Sequence, residues 1–450
     1  KYNNTETDDL WNSLEAISGK PVSDFMHVWT GIPGFPLVSA TVTDDQTELK
    51  QSRYFANPKH ADQKQKTWPI PLLRDAKDIA ILSEETFRTK DSTSKTTKLN
   101  RGQSGFYRVA YNSSQLEILG AQIQKGHLEP LDRLGILADL FENAKAGYSD
   151  TLDALHFLRH FKHETNYAVW DCIAAAIGSL RLVMDSEDLR EDMKPFIRQL
   201  VAPELARLGW SRKKTDSHFD RLLRPIILSL AASADEPRIT KKCLELFEKA
   251  TNIESIAPDL RSATSSSKVK RNMDIDPDLR GTVFGTVARL GDRKDFEKLV
   301  RLHNHSTLSE EKTTLAAAIT GFHQKDVIDD ALDLIDSDEV RLQDVAYWIA
   351  YSFANRHAKQ QAWDWLKDKW DWLETNLGTD LAFYRMPIYV ARAFSDEAFH
   401  SEYSKFFQSH MSPALDRSYK QGYEMLNWQT EWKKRDFKEV HHFFKTTTDL

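Results

Sequence analysis

Leu99-Asn-Arg-Gly-Gln-Ser-Gly-Phe-Tyr-Arg-Val-Ala-Tyr111 is the stretch at which this sequence changes character. Before it, apolar residues alternate with polar ones, and Pro and Thr are frequent. After it, apolar spacing is helical almost to Leu450. Gly102 and Gly105 sit where a tight turn or a backbone at φ > 0 would need them. Phe106–Tyr111 reads as a single strand. Alternation puts Tyr107, Val109 and Tyr111 on one face and Phe106, Arg108 and Ala110 on the other. We read it as the last strand of a β module and the hinge into a helical remainder.

Working outward, residues 1–34 hold two short amphipathic helices. Thr7 is a plausible N-cap, Asp8 and Asp9 complement the dipole, and Leu10, Trp11, Leu14 and Ile17 form the apolar face up to Gly19. Pro21 opens the second helix, which carries Phe25 and Trp29. Two such helices cannot build a core, so they read as the tail of a preceding domain. Residues 35–112 read as about six short strands, hence a small β-sandwich. Trp68-Pro-Ile-Pro-Leu-Leu73 is extended because each Pro disfavours helix before it. Asp91-Ser-Thr-Ser-Lys-Thr-Thr reads as a hairpin or loop. Residues 113–450 read as helices over 129–146, 165–184, 187–207, 217–233, 236–250, 277–291, 308–321, 340–354, 358–376, 396–408 and 413–431, with a loop at Ser262-Ala-Thr-Ser-Ser-Ser-Lys. The expected fold is mainly α: an irregular α-solenoid of the HEAT or armadillo kind following a β-sandwich.

The bulk properties narrow the function. With 450 residues, a single core is too small a plan. A net charge of −6 and a pI near 6.2 argue against nucleic acid or an anionic membrane surface as partners. No apolar run approaches the ~20 residues of a membrane span. Cys172 and Cys243 are the only cysteines, which excludes a disulfide framework and suggests a reducing, cytoplasmic setting. The first residue is Lys1 rather than Met, so an upstream targeting segment stays open.

Catalytic motifs are sparse. A zinc peptidase of the His-Glu-x-x-His type needs two imidazoles one helical turn apart and a Glu to activate water. The sole His-Glu pair, His163-Glu164, lacks the second His. His156, His160 and His163 would share a helix face, as a metal site or as a solvated stripe beside Leu155, Leu158 and Phe161. Trp363, Trp365, Trp370 and Trp372 read as a stacking platform or as inter-helix packing. Neither Gly-x-Ser-x-Gly nor a phosphate-binding Gly-rich loop occurs.

Several segments, in order, resemble the aminopeptidase N family of zinc metallopeptidases, which includes puromycin-sensitive and endoplasmic-reticulum aminopeptidases. Thr7-Asp-Asp-Leu-Trp-Asn-Ser-Leu, Gly19-Lys-Pro-Val and Met26-His-Val-Trp-Thr resemble the last helices of its catalytic domain. Gly34-Phe-Pro-Leu-Val and Trp68-Pro-Ile-Pro-Leu resemble its β-sandwich, and Lys98–Tyr111 is the most specific match. Asp132-Arg-Leu-Gly-Ile-Leu-Ala-Asp, Glu164-Thr-Asn-Tyr-Ala-Val-Trp and Asp276-Pro-Asp-Leu-Arg-Gly-Thr-Val-Phe resemble its C-terminal helices.

The resemblance implies that the zinc ligands and catalytic residues lie upstream of Lys1, with zinc a cofactor of that missing catalytic domain and none in this chain. The chain would then be the inactive C-terminal part of an aminopeptidase, its partners being the catalytic domain and a peptide substrate held in a helical bowl. Arg181, ending Tyr167–Arg181, falls where some members carry a basic peptide-binding residue, although its neighbour is Leu180 rather than an aromatic. Lys359, in Asn355-Arg-His-Ala-Lys, is a second candidate, with Ala358 where the family tends to Gly. The alternatives are two solvated cations, and for the whole chain a stand-alone α-solenoid scaffold binding a protein partner.

Overall fold

The computed structural model describes residues 4–42, 46–60, 66–75, 78–89, 98–251 and 275–447. The expected loops at Asp91–Thr97 and Ser262–Lys268 lie outside them. The protein is mostly helical with a small amount of sheet. It divides into two compact units, Lys1–His163 and Glu164–Leu450.

The first unit opens with α1 (Thr7–Ser18) and α2 (Val22–Gly31). A reciprocal cap between Glu6 and Asp9 starts α1, and Gly19 at φ 65° ends it. Leu10, Leu14 and Ile17 are exposed, and neither helix has a fully buried residue. Trp29 nevertheless ties α2 to the β module: its Nε1 donates to the Pro69 carbonyl at 3.1 Å, and its ring lies 6.5 Å from both Trp68 and Phe106.

The strands are β1 (Pro36–Val42), β2 (Thr47–Arg53), β3 (Ile70–Asp75), β4 (Asp78–Leu82), β5 (Thr86–Thr89) and β6 (Arg108–Ala110). The order β5-β2-β1-β6 makes one sheet, antiparallel except for the parallel β1–β6 edge, and β3-β4 makes a second. The buried Gln51 amide joins them: its Nε2 donates to the Trp68, Leu82 and Glu84 carbonyls, and its Oε1 accepts from Trp68 N. This places a fully satisfied polar group inside an apolar layer of Val38, Leu49, Trp68 and Ile70.

The strand expected over Phe106–Tyr111 is shorter, because the turn before it is held by its own side chains. Asn100 (φ 51°) and Gly102 (φ 67°) are left-handed. Asn100 Nδ2 donates to the Gly105 and Tyr107 carbonyls, and Gly105 N donates back to Asn100 Oδ1 at 2.8 Å. A Cβ on Gly105 would stand 2.4 Å from the Tyr107 ring. Tyr107, Val109 and Tyr111 are buried, while Phe106 is 70% exposed, as the alternation requires.

Three further helices complete the unit: α3 (Ser113–Gln124), α4 (Pro130–Ala146) and α5 (Thr151–Phe157). One face of α4 grips the turn and β6. Asp132 Oδ1 accepts from Gly102 N at 2.6 Å and lies 3.4 Å from the buried Lys98 ammonium. Asp139 accepts from Val109 N at 3.0 Å and from Arg108 at 3.2 Å, and Asn143 Nδ2 donates to the Val109 carbonyl.

The second unit contains α6 (Tyr167–Val183), α7 (Glu187–Leu208), α8 (His218–Ser233), α9 (Pro237–Thr251), α10 (Arg280–Leu290), α11 (Arg293–His305), α12 (Ser309–Ile319), α13 (Lys325–Asp333), α14 (Val345–Ala354), α15 (Lys359–Asp368), α16 (Trp370–Leu377), α17 (Met386–Ala393), α18 (Ala398–Ser409) and α19 (Pro413–Thr446). Helices α6, α8, α10, α12, α14, α17 and α19 pack in succession as one layer. The intervening helices lie against them, as α7 on α8, α9 on α10 and α11 on α12. The last helix returns to the first: α19 packs on α6 and α7, where Phe443 and Phe444 meet Phe196 edge-on.

The helix expected over 358–376 is broken at Lys369 (φ −94°, ψ 9°), and α19 runs to Thr446 rather than ending near 431. Trp363 and Trp370 are buried against Phe399, Phe406 and Phe407, so two members of the tryptophan cluster are core.

Candidate functional site

Because the layered helices alternate in direction with their partners, the C-terminal ends of α6, α8, α10 and α14 meet around one cluster of charges. Helix ends of this kind expose carbonyls and attract cations. Arg181, in the last turn of α6, donates from Nη1 to Ser233 Oγ at 2.9 Å and from Nη2 to the Ser233 carbonyl at 3.3 Å, at the end of α8. Arg289, in the last turn of α10, donates to the Ala232 carbonyl at 2.8 Å and pairs with Asp235 at 2.6 Å. Lys194 also pairs with Asp235 at 2.6 Å. Arg198 donates to the Ala234 carbonyl at 2.7 Å.

Arg190 links this group to a second acid. It donates to the Arg181 carbonyl at 2.8 Å and lies 3.5 Å from Asp185. Asp185 also receives Arg356 at 2.5 Å and Lys359 at 3.0 Å, and Arg356 reaches Glu187. The network thus brings Arg181 and Lys359 together. Among the described residues it holds seven cations, Arg181, Arg190, Lys194, Arg198, Arg289, Arg356 and Lys359, against four carboxylates, Asp185, Glu187, Glu191 and Asp235.

The two sequence candidates sit differently in it. Lys359 is paired with Asp185 and also lies 5.6 Å from the Phe394 ring. Burial alone would raise Asp185, but Lys359 and Arg356 outweigh it and hold the carboxyl below its ordinary range. Arg181 has no carboxylate partner among the described residues, and its buried Nε has no hydrogen-bond partner. Burial, then the positive charges of Arg190 and Arg289, push its guanidinium down to about 10, against the opposing pull of Asp235. It therefore stays charged at neutral pH without a carboxylate in salt-bridge contact among the described residues.

The histidine trio does not share a helix. Helix α5 ends at Phe157, and His160 lies in the tighter turn Leu158–Phe161, where its ring packs edge-on to Phe157. Among the described residues, no group of three or more His, Cys, Asp and Glu is placed to hold a metal ion. No helix among the described residues is long and apolar enough to cross a membrane.

Sequence reading missed Arg289, Arg190, Asp185 and Asp235. The signal available was modest: Arg289 precedes Gly291 as a last-turn cation before a helix stop. Their convergence depends on the stacking of helices far apart in sequence.

Residues 97–427 match the family described as the ERAP1-like C-terminal domain. The chain is 27% identical to Aminopeptidase 2 of Candida albicans, covering 99% of this chain and 48% of that protein. It is 28% identical to Aminopeptidase M1 of Arabidopsis thaliana (97% and 50%) and 28% identical to Aminopeptidase N of Lactococcus lactis (91% and 47%). The chain spans about half the length of the curated relatives it matches.

Proposed function

Because the chain belongs to the ERAP1-like C-terminal domain family, we propose that it is the non-catalytic C-terminal part of an aminopeptidase, and that its helical unit holds peptide substrate by the carboxylate end. Peptide-bond hydrolysis and the zinc it uses belong to a part outside these 450 residues. Residues 1–34 are read as the tail of that part, 35–112 as a small β-sandwich and 113–450 as a HEAT-like helical domain covering the active site. The two joined sheets and the layered helix pairs support this division.

The observation that carries the reading is the half-buried Arg181, whose Nε has no hydrogen-bond partner, in a cluster with surplus positive charge. Arg289 stands beside it, whereas Lys359 is already engaged by Asp185. A charge-assisted bond from Arg181 to a carboxylate contributes about 1.5–3 kcal/mol, roughly a 10–100-fold gain in affinity. In the full-length enzyme, Arg181→Ala should slow turnover of peptides long enough to reach the cluster. It should leave a single-residue reporter substrate unchanged. Equal effects on both substrates, or none on either, remove Arg181 from the site.

A further inference from the structure

The loop between α7 and α8 reads Gly209-Trp-Ser-Arg-Lys-Lys-Thr-Asp-Ser217, with Arg212, Lys213 and Lys214 directly ahead of Thr215. Arg212 to Thr215 are exposed, and no strand or helix includes them. Lys214 and Thr215 form the corner of a turn. Asp216 N donates to the Lys213 carbonyl at 3.1 Å, and Lys213 N donates to Asp216 Oδ2 at 2.7 Å. Three hydroxyls lie in the loop, and they are not equivalent. That of Ser217 is taken: it caps α8, accepting from Asp220 N at 3.0 Å and donating to the Asp220 carboxylate at 2.7 Å. Ser211 stands ahead of the basic run rather than after it. The Thr215 hydroxyl has no hydrogen bond, and Lys214 no ion pair, among the described residues.

Arg212 ties this loop to the turn that leads into α10. Its guanidinium meets Asp276 at 2.9 Å and Asp278 at 2.5 Å. With 43% of the Arg212 side chain open to solvent, these pairs change partners at little cost. Asp216 is fixed by contrast, paired with the buried Arg224 at 2.5 Å. Its charge is thereby matched, whereas the cations ahead of Thr215 face solvent. A binding groove lined by carboxylates selects such a segment by its charge pattern. We propose that Thr215 is the phosphate acceptor for a protein kinase that selects basic residues ahead of its target, and that the phosphate draws Arg212 from Asp276 and Asp278. In the transfer, Thr215 Oγ1 bonds the γ-phosphorus of ATP. The bond from that phosphorus to the β–γ bridging oxygen breaks, and ADP leaves with its electron pair. The hydroxyl proton passes to a carboxylate of the kinase. The product carries a charge of about −1.5 to −2 close to Arg212 and Lys214, where a guanidinium can hold it by two parallel charge-assisted bonds. This goes beyond the peptide-holding reading and does not depend on it.

The test incubates the 450-residue chain with Mg-ATP and the catalytic subunit of cyclic-AMP-dependent protein kinase, which has this selectivity. Intact-mass and peptide mass spectrometry read the product, and thermal melting reports the fold of each variant. A single phosphoryl group should appear on Thr215 of the folded chain. Thr215→Ala should abolish it and Thr215→Ser should retain it. Arg212→Gln should slow the transfer about tenfold or more, because a charge-assisted contact to the kinase is lost. In the phosphorylated chain, amide hydrogen exchange should quicken over residues 275–280, where Arg212 is released, and stay unchanged along α19. No transfer to the folded chain, or transfer undiminished in Thr215→Ala, overturns the acceptor. Unchanged exchange over residues 275–280 in fully phosphorylated protein overturns the capture of Arg212.

Discussion

The buried charges between β6 and α4 and those at the end of α6 use the same residue types to opposite ends. In the first unit, each charge faces an opposite charge or an orienting backbone group: Lys98 with Asp132, Arg108 with Asp139, Gly102 N on Asp132 and Val109 N on Asp139. In the second, cations outnumber carboxylates, and Arg181 bonds Ser233 but makes no salt bridge among the described residues, with Asp235 acting on it from farther off. Matched buried charge fixes geometry, because removing either partner strands the other in a medium that cannot solvate it. At the end of α6 the cations are half-buried and bond the last carbonyls of α8, and the surplus positive charge is what the proposed carboxylate would meet.

The sharpest break in this contrast comes from Asp132. Asp132→Ala leaves the Lys98 ammonium buried and unpaired, with its pKa already lowered by burial and sustained by Asp132. The expected loss is about 3–5 kcal/mol by chemical denaturation. Neutralising both, as Lys98→Met with Asp132→Asn, should recover most of it, since the amide oxygen still accepts from Gly102 N. An equal loss in the double variant would mean that shape rather than charge holds the turn.

Asp139 gives the next effect. Burial raises its carboxyl to about 6, against the opposing pull of Arg108 and the Val109 N–H. A group whose folded pKa is raised favours folding below its unfolded pKa, and that contribution is lost as pH rises through the folded value. From this residue, stability should therefore fall by roughly 2–3 kcal/mol between pH 4 and pH 7. Asp139→Asn should flatten the pH dependence of the denaturation free energy in that window. A wild-type stability that rises with pH relative to the variant would show the ion pair with Arg108 to be dominant.

Lys359 marks the small end. It is one of three cations around Asp185. Lys359→Met should cost about 1 kcal/mol of stability or less and change peptide affinity less than about threefold. A larger loss of affinity would make Lys359 a second anchor and spread the site along the network.

How much of this was legible in the sequence varied with distance along the chain. Gly102 and Gly105 announced the turn, and the alternation through Tyr111 named its buried face, because both signals are local. The break at Lys369 was hidden, since the apolar spacing from Trp363 through Trp370 continues across it. The end of α19 was hidden by the charged run Lys433-Lys-Arg-Asp436, which interrupts the apolar spacing yet stays helical. Short helices such as α13 and α17 carry too few periods to stand out. At the site, Arg181 was reachable by family resemblance, but its surroundings were not. They depend on Ser233, Asp235 and Arg289, brought near it only when α8 stacks on α6 and α10 on α8.

The central claim is that Arg181 awaits a carboxylate, and one binding measurement tests it most directly. A dye-labelled nine-residue peptide is prepared as the free acid and as the C-terminal amide. The affinity of each is measured for the 450-residue chain and for Arg181→Met, which keeps much of the side-chain volume. The free acid should bind the unaltered chain about 10–100-fold more tightly than the amide, and Arg181→Met should erase most of that difference. Equal binding of acid and amide by the unaltered chain, or an undiminished difference in Arg181→Met, would contradict it.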